Sequence, residues 1–323
     1  MTTATFSRRG ALIAAGAAST TALLPTSAFG GTSTRPIIDT HIHLFDPTRP
    51  HGVPYAGPDK SPTHTTGSLP AGYAAHARPL GIVGAIVVEA SPWVEDNLWV
   101  LEQAAANPII LGMIGNLRPE RHDFAELFGR FHRDPLFLGI RYGNLWDYDL
   151  AAQSRNPAFL DGLKRLADAD LVLETANQDI ALLEAALRVS DAVPNLRIVI
   201  DHLAAFDPKP SDQSAYQAAL RNFAGRPQIF CKLSEVIHPV GGNARTDLPA
   251  YREKLDNLYA TFGEDRVTFG SDYPQSDSVA TLPQVVGLAK AYFAGKSPAT
   301  QEKFFFQNSR RIYKWQARGA LKG

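Results

Sequence analysis

Eight short apolar runs recur along this chain, and that recurrence constrains its fold more than any other feature. They are "PIIDTHIH" (36–43), "GAIVVEA" (84–90), "IILGMIG" (109–115), "LFLGIRYG" (136–143), "LVLETA" (171–176), "LRIVIDH" (196–202), "QIFCKLS" (228–234) and "RVTFGSD" (266–272). Most are nearly continuous Val, Ile, Leu or Phe, the pattern of parallel strands covered on both faces. Helical patterns separate them, at 97–106, 157–168, 179–193, 216–224 and 248–263. The spacing in "LLEAAL" suits a helix packed on a sheet. Asp179 and Ser214 are expected N-caps, with Gln217 completing a capping box after Ser214. Strand then helix, eight times over, predicts an α/β fold: a single-domain (β/α)8 TIM barrel. The runner-up is a doubly wound open sheet, which usually carries a glycine-rich first turn. The first turn here is "HLFDPTRPHGVPYAG", with no GxGxxG. The irregular stretch 44–75 is long for a connection and is expected to be an active-site loop.

Barrel chemistry sits at the C-terminal ends of the strands. Those ends carry His41 and His43, Glu89, Arg141, Glu174, His202 and Asp272. Strand three offers Met113 and Asn116, and strand seven Lys232 and Ser234. Charged groups closing apolar runs are costly unless paired or solvated, so their convergence on one mouth points to a site. His41 and His43, two apart on a strand, share a face. Such a pair can hold one metal ion or flank one substrate. Single residues have plainer readings: Arg141 could pair with Glu174, and Lys232 and His238 read as solvent-exposed. Cys231 reads as buried core.

The first 30 residues form a separate segment. Arg8–Arg9 precede an apolar stretch from about Ala11 to Leu24, followed by small residues. That order is a twin-arginine-type export signal, too short to span a bilayer comfortably. It leaves the barrel domain as 31–323 and the protein exported, periplasmic or secreted, with no membrane insertion after signal removal. Lys plus Arg equals Asp plus Glu at 32 each, and no basic run follows the signal, which argues against nucleic acid as a partner. The single cysteine excludes an intrachain disulfide. A homo-oligomer is left open.

With these motifs in order, the sequence resembles the amidohydrolase superfamily, in the amidohydrolase-related branch that includes sugar-acid lactonases such as fuconolactonase and rhamnonolactonase, and 2-pyrone-4,6-dicarboxylate lactonase. "DTHIHLFDP" resembles the first-strand signature, and "VVEASPWVEDN" the close of strand two. "LGIRYG" resembles the strand-four region with Arg141, "PNLRIVIDHLA" carries the sixth-strand His202, and "FGEDRVTFGSDYP" the eighth-strand Asp272. "QNSRRIYKW" resembles the terminal helix, where Asn308 is usual. The likeness runs across about 280 residues. Many metal-dependent members have a histidine on strand five, where this chain has Glu174 and Asn177, and no lysine ends strand four. The resemblance therefore implies one divalent ion, zinc, or none.

What it implies chemically is hydrolysis of a small carboxylated or sugar-acid lactone by activated water. The alternatives are a lactone isomerase or a metal-dependent decarboxylase on the same barrel. A carbohydrate-binding protein without turnover is the non-enzymatic alternative. His41, His43, His202 and Asp272 are the expected metal set, since zinc takes imidazole nitrogen and carboxylate oxygen. Asp272 is the expected proton shuttle, with His202 beside it. Arg141 offers a planar fork for a substrate carboxylate. Glu89 and Glu174 are further substrate contacts. Trp93, Trp99, Tyr142 and Trp146 include candidates for a flat wall against a ring.

Overall fold

The computed structural model describes residues 35–51, 66–240 and 243–322. The export segment lies outside them, as do residues 52–65 of the first loop. The eight apolar runs become β1 (Ile37–Ile42), β2 (Ile82–Val88), β3 (Ile110–Gly115), β4 (Phe137–Arg141), β5 (Val172–Glu174), β6 (Arg197–Ile200), β7 (Ile229–Leu233) and β8 (Val267–Phe269). They pair in sequence order as one parallel eight-stranded sheet. A parallel bridge between Ile42 and Tyr273 brings the end of β8 back to β1. Two backbone bonds fix the seam: Asp272 N–H donates to the His41 carbonyl at 2.8 Å and His43 N–H to the Tyr273 carbonyl at 2.7 Å. The fold is the (β/α)8 barrel.

Helices α1 (Pro70–Ala77), α2 (Glu95–Ala106), α3 (Phe124–Phe131), α4 (Pro157–Asp168), α5 (Ile180–Ala192), α6 (Gln213–Ala224), α7 (Arg252–Phe262) and α8 (Leu282–Phe293) follow the strands in turn. Asp179 caps α5 by accepting from Leu182 N–H at 2.7 Å. Ser214 does not cap α6. Asp212 holds the N-cap position and the helix starts at Gln213, two residues before a Ser214 cap would start it, so Ser214 sits inside its first turn. The capping box forms instead at α8, between Thr281 and Gln284. The stretch 44–75, expected to be irregular, ends inside α1, where Pro70 occupies the first helical position.

The barrel interior explains where the site lies. Val172, Val199 and Phe230 belong to an inner apolar layer with Ile38, Ile86 and Leu138. Side chains two residues on share that face, so Glu174, Asp201 and Lys232 form the next layer toward the mouth. A last helix, α9 (Asn308–Tyr313), contributes Ile312 and Tyr313 to the inner layer. One apolar layer and one charged layer are thus stacked under the strand ends.

Candidate active site

His41 lies near the end of β1 and His43 just past it, both buried. The register of β1 against β2 shifts between Asp39 and Ile42, and Asp39 secures this irregular strand end from behind. Its Oδ1 accepts Ser271 N–H at 2.8 Å and its Oδ2 accepts the Tyr73 hydroxyl at 2.9 Å. Asp272 meets the pair from across the seam. Its Oδ1 is 3.1 Å from His43 Nε2, 3.4 Å from His41 Nε2 and 3.9 Å from His202 Nε2. The rings of His41 and His202 lie 4.4 Å apart, centroid to centroid. All four residues that sequence reading gathered into a metal set therefore meet at one point.

The backbone is bent to make them meet. His202, Glu235 and Asp272, just past β6, β7 and β8, have φ of 50°, 48° and 61°. The left-handed region is sparsely used by residues other than glycine and costs of order 1–3 kcal/mol at such positions. At His202 and Glu235 the bend turns back over the mouth a side chain that alternation from Val199 and Phe230 would send outward. Glu235, half-exposed, hydrogen-bonds Asp272, and its Oε2 is 3.9 Å from His202 Nδ1.

Burial dominates the electrostatics. It lowers the pKa of His43 to about 4, with the Arg141 charge adding to the effect. It holds His41 and His202 well below the ordinary imidazole value, with Lys232 the next cause in both. The three rings are neutral at neutral pH. Burial also raises Asp272 to about 7, although the Glu235 hydrogen bond opposes the rise. A carboxylate tuned to that value suits a group that must both take and return a proton.

The donor set fits a divalent ion. The ligand atoms of His41, His43 and Asp272 all lie within 4.8 Å of one another. His41 Nε2 is buried with no hydrogen-bond partner among the described residues. His43 Nδ1 is 3.0 Å from the Val88 carbonyl, which can only accept, so its Nε2 turns a lone pair toward Asp272. Two imidazole nitrogens and a carboxylate oxygen are ligand types that zinc takes.

The expected substrate contacts are arranged differently from their sequence reading. Arg141 pairs with Glu89, not Glu174: its Nε donates to Glu89 Oε1 at 2.7 Å and an Nη to the Glu89 carbonyl at 2.9 Å. Glu89 Oε2 accepts from Trp146 Nε1 at 2.8 Å. Glu174 is fully buried beneath the mouth. Tyr142 stacks on Tyr148 and meets Phe159 of α4 edge-on, so its ring belongs to the core rather than to a wall of the mouth. Trp93 and Trp146 do share a cavity of about 480 Å³ with Tyr148, Arg118 and Leu98. Trp99 instead lies under Arg49, 4.5 Å from its ring centroid.

Two residues of the site, Asp201 and Glu235, escaped sequence reading, and a third, Lys232, was found at its strand end but given the wrong exposure. Lys232, expected to be exposed, is 0% exposed and reaches His41 at 3.0 Å, Glu174 at 2.8 Å and Asp201 at 3.1 Å. Asp201 and Glu235 carried no expectation. Alternation from Val199 and Phe230 would have placed Asp201 and Lys232 inside the barrel. Glu235 follows the strand end by two residues and left no such signal. His238, also expected to be exposed, is tied to the Val236 carbonyl at 2.9 Å and lies 3.3 Å from Asp207.

A family model described as Amidohydrolase matches residues 38–315. An L-fucono-1,5-lactonase from Burkholderia ambifaria is 31% identical over 199 residues, 61% of this chain and 66% of that protein. An L-fucono-1,5-lactonase from Burkholderia multivorans is 26% identical over 236 residues, covering 70% of this chain and 78% of that one. Among solved structures, an amidohydrolase from Burkholderia multivorans with bound zinc superposes with a TM-score of 0.76 at 23% identity. The match covers 87% of this chain and 100% of that one, a likeness of fold.

Proposed function

The chain belongs to the amidohydrolase family, and from that premise we propose that it hydrolyses small lactones bearing acid or hydroxyl groups. The observation that carries this reading is the meeting of Asp272 with His41, His43 and His202 at the barrel mouth. The lactonase relatives support the same substrate class.

Asp272 accepts a proton from water as the water oxygen attacks the ring carbonyl. The ring C–O bond then breaks, and Asp272 returns the proton to the departing alkoxide. The neutral histidines around it supply N–H groups and lone pairs at fixed positions, which costs little reorganisation as charge develops on the carbonyl oxygen. Arg141, held by Glu89 through Nε and one Nη, keeps a guanidinium edge near this mouth whose planar fork suits a substrate carboxylate. A zinc ion, for which His41, His43 and Asp272 are the holders with His202 beside them, would polarise the carbonyl and acidify water. Elemental analysis of untagged protein is expected to give one zinc per chain or less, and a reproducible two would refute a single site.

The deciding experiment is steady-state turnover of five- and six-membered sugar-acid and carboxylated lactones with a pH indicator. Proton release with a ring-opened acid as product is expected. Conversion without proton release, or release of CO2, would replace hydrolysis by isomerisation or decarboxylation. Export belongs to the same proposal, from Arg8–Arg9 and the apolar stretch after them. N-terminal sequencing from the native cell should find these residues removed, and an intact Met1 or Thr2 on cytoplasmic protein would end that part.

A further inference from the structure

Beneath the histidines lies a buried charged layer for which hydrolysis by Asp272 has no direct use. Lys232 Nζ sits 2.8 Å from Glu174 Oε1, 3.1 Å from Asp201 Oδ1 and 3.0 Å from His41 Nδ1. The Tyr313 hydroxyl from α9 donates to Glu174 Oε1 at 2.5 Å and so holds that carboxylate in place. Gly270 leaves room for the lysine stem. A Cβ there would come within 3.0 Å of Lys232 Cδ and 2.9 Å of His41 Cβ.

A lysine side chain ends in three donors and no acceptor, and here it faces the carboxyl groups of Glu174 and Asp201. His41 Nδ1, facing it at hydrogen-bond distance, has to accept. A neutral imidazole that accepts at Nδ1 carries its proton on Nε2. His43 has the opposite arrangement, because the Val88 carbonyl at 3.0 Å takes the proton of its Nδ1. The two histidines of one His-x-His pair therefore hold opposite tautomers.

We infer that Lys232 is a positioning residue: it keeps His41 as an Nε2–H donor toward the reacting carbonyl and weakens it as a metal ligand. Metal-bound histidines almost always have an acceptor at the other nitrogen, which fixes the ligating tautomer. Here that place is taken by a donor. The nearest replacement acceptor is Asp201 Oδ2, 3.6 Å from His41 Nδ1, just beyond hydrogen-bond reach while Lys232 intervenes. His41 Nε2–H instead lies 3.4 Å from Asp272 Oδ1, beside the oxygen that handles the proton. Without a hydrogen-bond partner among the described residues, it can donate to a carbonyl oxygen as that oxygen gains charge. An ion could still bind, but only after His41 gives up that proton.

The inference rests on the lactonase reading of this mouth, while its test reads a tautomer and an affinity rather than turnover. Histidine-labelled, zinc-free wild-type protein is examined by long-range 1H–15N correlation, with H41N and H43N used to assign the two rings. His41 protonated on Nε2 and His43 on Nδ1 is the expected result. His41 protonated on Nδ1 overturns the inference. The second measurement uses K232M/E174Q, which removes one charge of each sign and keeps an oxygen for Tyr313 to donate to. Zinc affinity by chelator competition should rise by about tenfold or more, the scale on which second-shell partners act, as Asp201 becomes the acceptor for His41. Unchanged or weaker zinc binding by the folded variant overturns the inference. If the variant fails to fold, the wild-type spectrum alone decides.

Discussion

Replacing Asp272 by asparagine separates the site's chemistry from its architecture. His43 Nε2 presents a lone pair 3.1 Å from Asp272 Oδ1, and an amide N–H can donate to it. The backbone bonds of Asp272 to His41 and Ser276 do not involve the side chain. D272N should therefore fold with the histidines in place. What it loses is the base, and general acid–base catalysis is worth about 10²–10⁴-fold, or roughly 2.7–5.4 kcal/mol at 1.36 kcal/mol per tenfold. The loss should fall on kcat and on kcat/KM alike, because the proton moves only in the transition state. Stability gives a second reading in chelated protein. Burial raises the Asp272 carboxyl from 3.8 to about 7, so the folded state holds this proton more tightly than the unfolded chain. Stability from this group is full below about pH 4 and is lost as pH rises through about 7. The full loss is of order 4 kcal/mol. Asparagine has no charge to bury, so metal-free D272N should equal or exceed wild type in denaturant midpoint at pH 8. The assays are lactone hydrolysis by pH indicator and urea unfolding followed by circular dichroism. A variant retaining more than about half of wild-type kcat would falsify the shuttle role.

Three further outcomes follow from the packing. Glu89→Ala strands the buried Arg141 guanidinium without its 2.7 Å partner and should cost about 3–5 kcal/mol, read as a lowered urea midpoint; a loss below about 1 kcal/mol would mean that water replaces the carboxylate. Gly270→Ala forces a methyl to within 2.9 Å of His41 Cβ and 3.0 Å of Lys232 Cδ, so about 1–3 kcal/mol of overpacking should come with a fall in kcat as His41 moves; wild-type values of both would show that the two side chains yield freely. Burial, with the Asp201 charge adding, pushes the Cys231 thiol well above its ordinary range, so a thiol reagent at pH 8 should leave native protein unlabelled and label one thiol per chain in urea. Rapid labelling of native protein would contradict the burial of β7.

The uneven legibility of this protein has a physical cause. The strands could be read because a parallel strand covered on both faces writes its burial into its own residues, as "IVIDH" and "AIVVEA" do. Capping was only partly legible, since Asp179 caps α5 while Ser214 lies inside α6, and a shift of two residues in the helix start separates the two roles. Asp272 and the three histidines around it could be found because strand ends are where a barrel tolerates polarity. Lys232 illustrates the opposite case. Its compensation comes from Glu174, 58 residues away, and from His41, 191 residues away, and no local window holds both a charge and its distant partners. Exposure is then the natural reading of a lone lysine, and it fails here because three strands deliver their charges to one layer. Period-two alternation recovers Lys232 and Asp201 only once Phe230 and Val199 are known to face inward. That knowledge is a property of barrel closure. Glu235 goes a step further: its φ of 48° breaks the alternation, so even a correct register would have aimed it elsewhere. The residues hardest to read are thus those whose orientation is set by strain or by partners on other strands, and in this barrel both kinds surround the same aspartate.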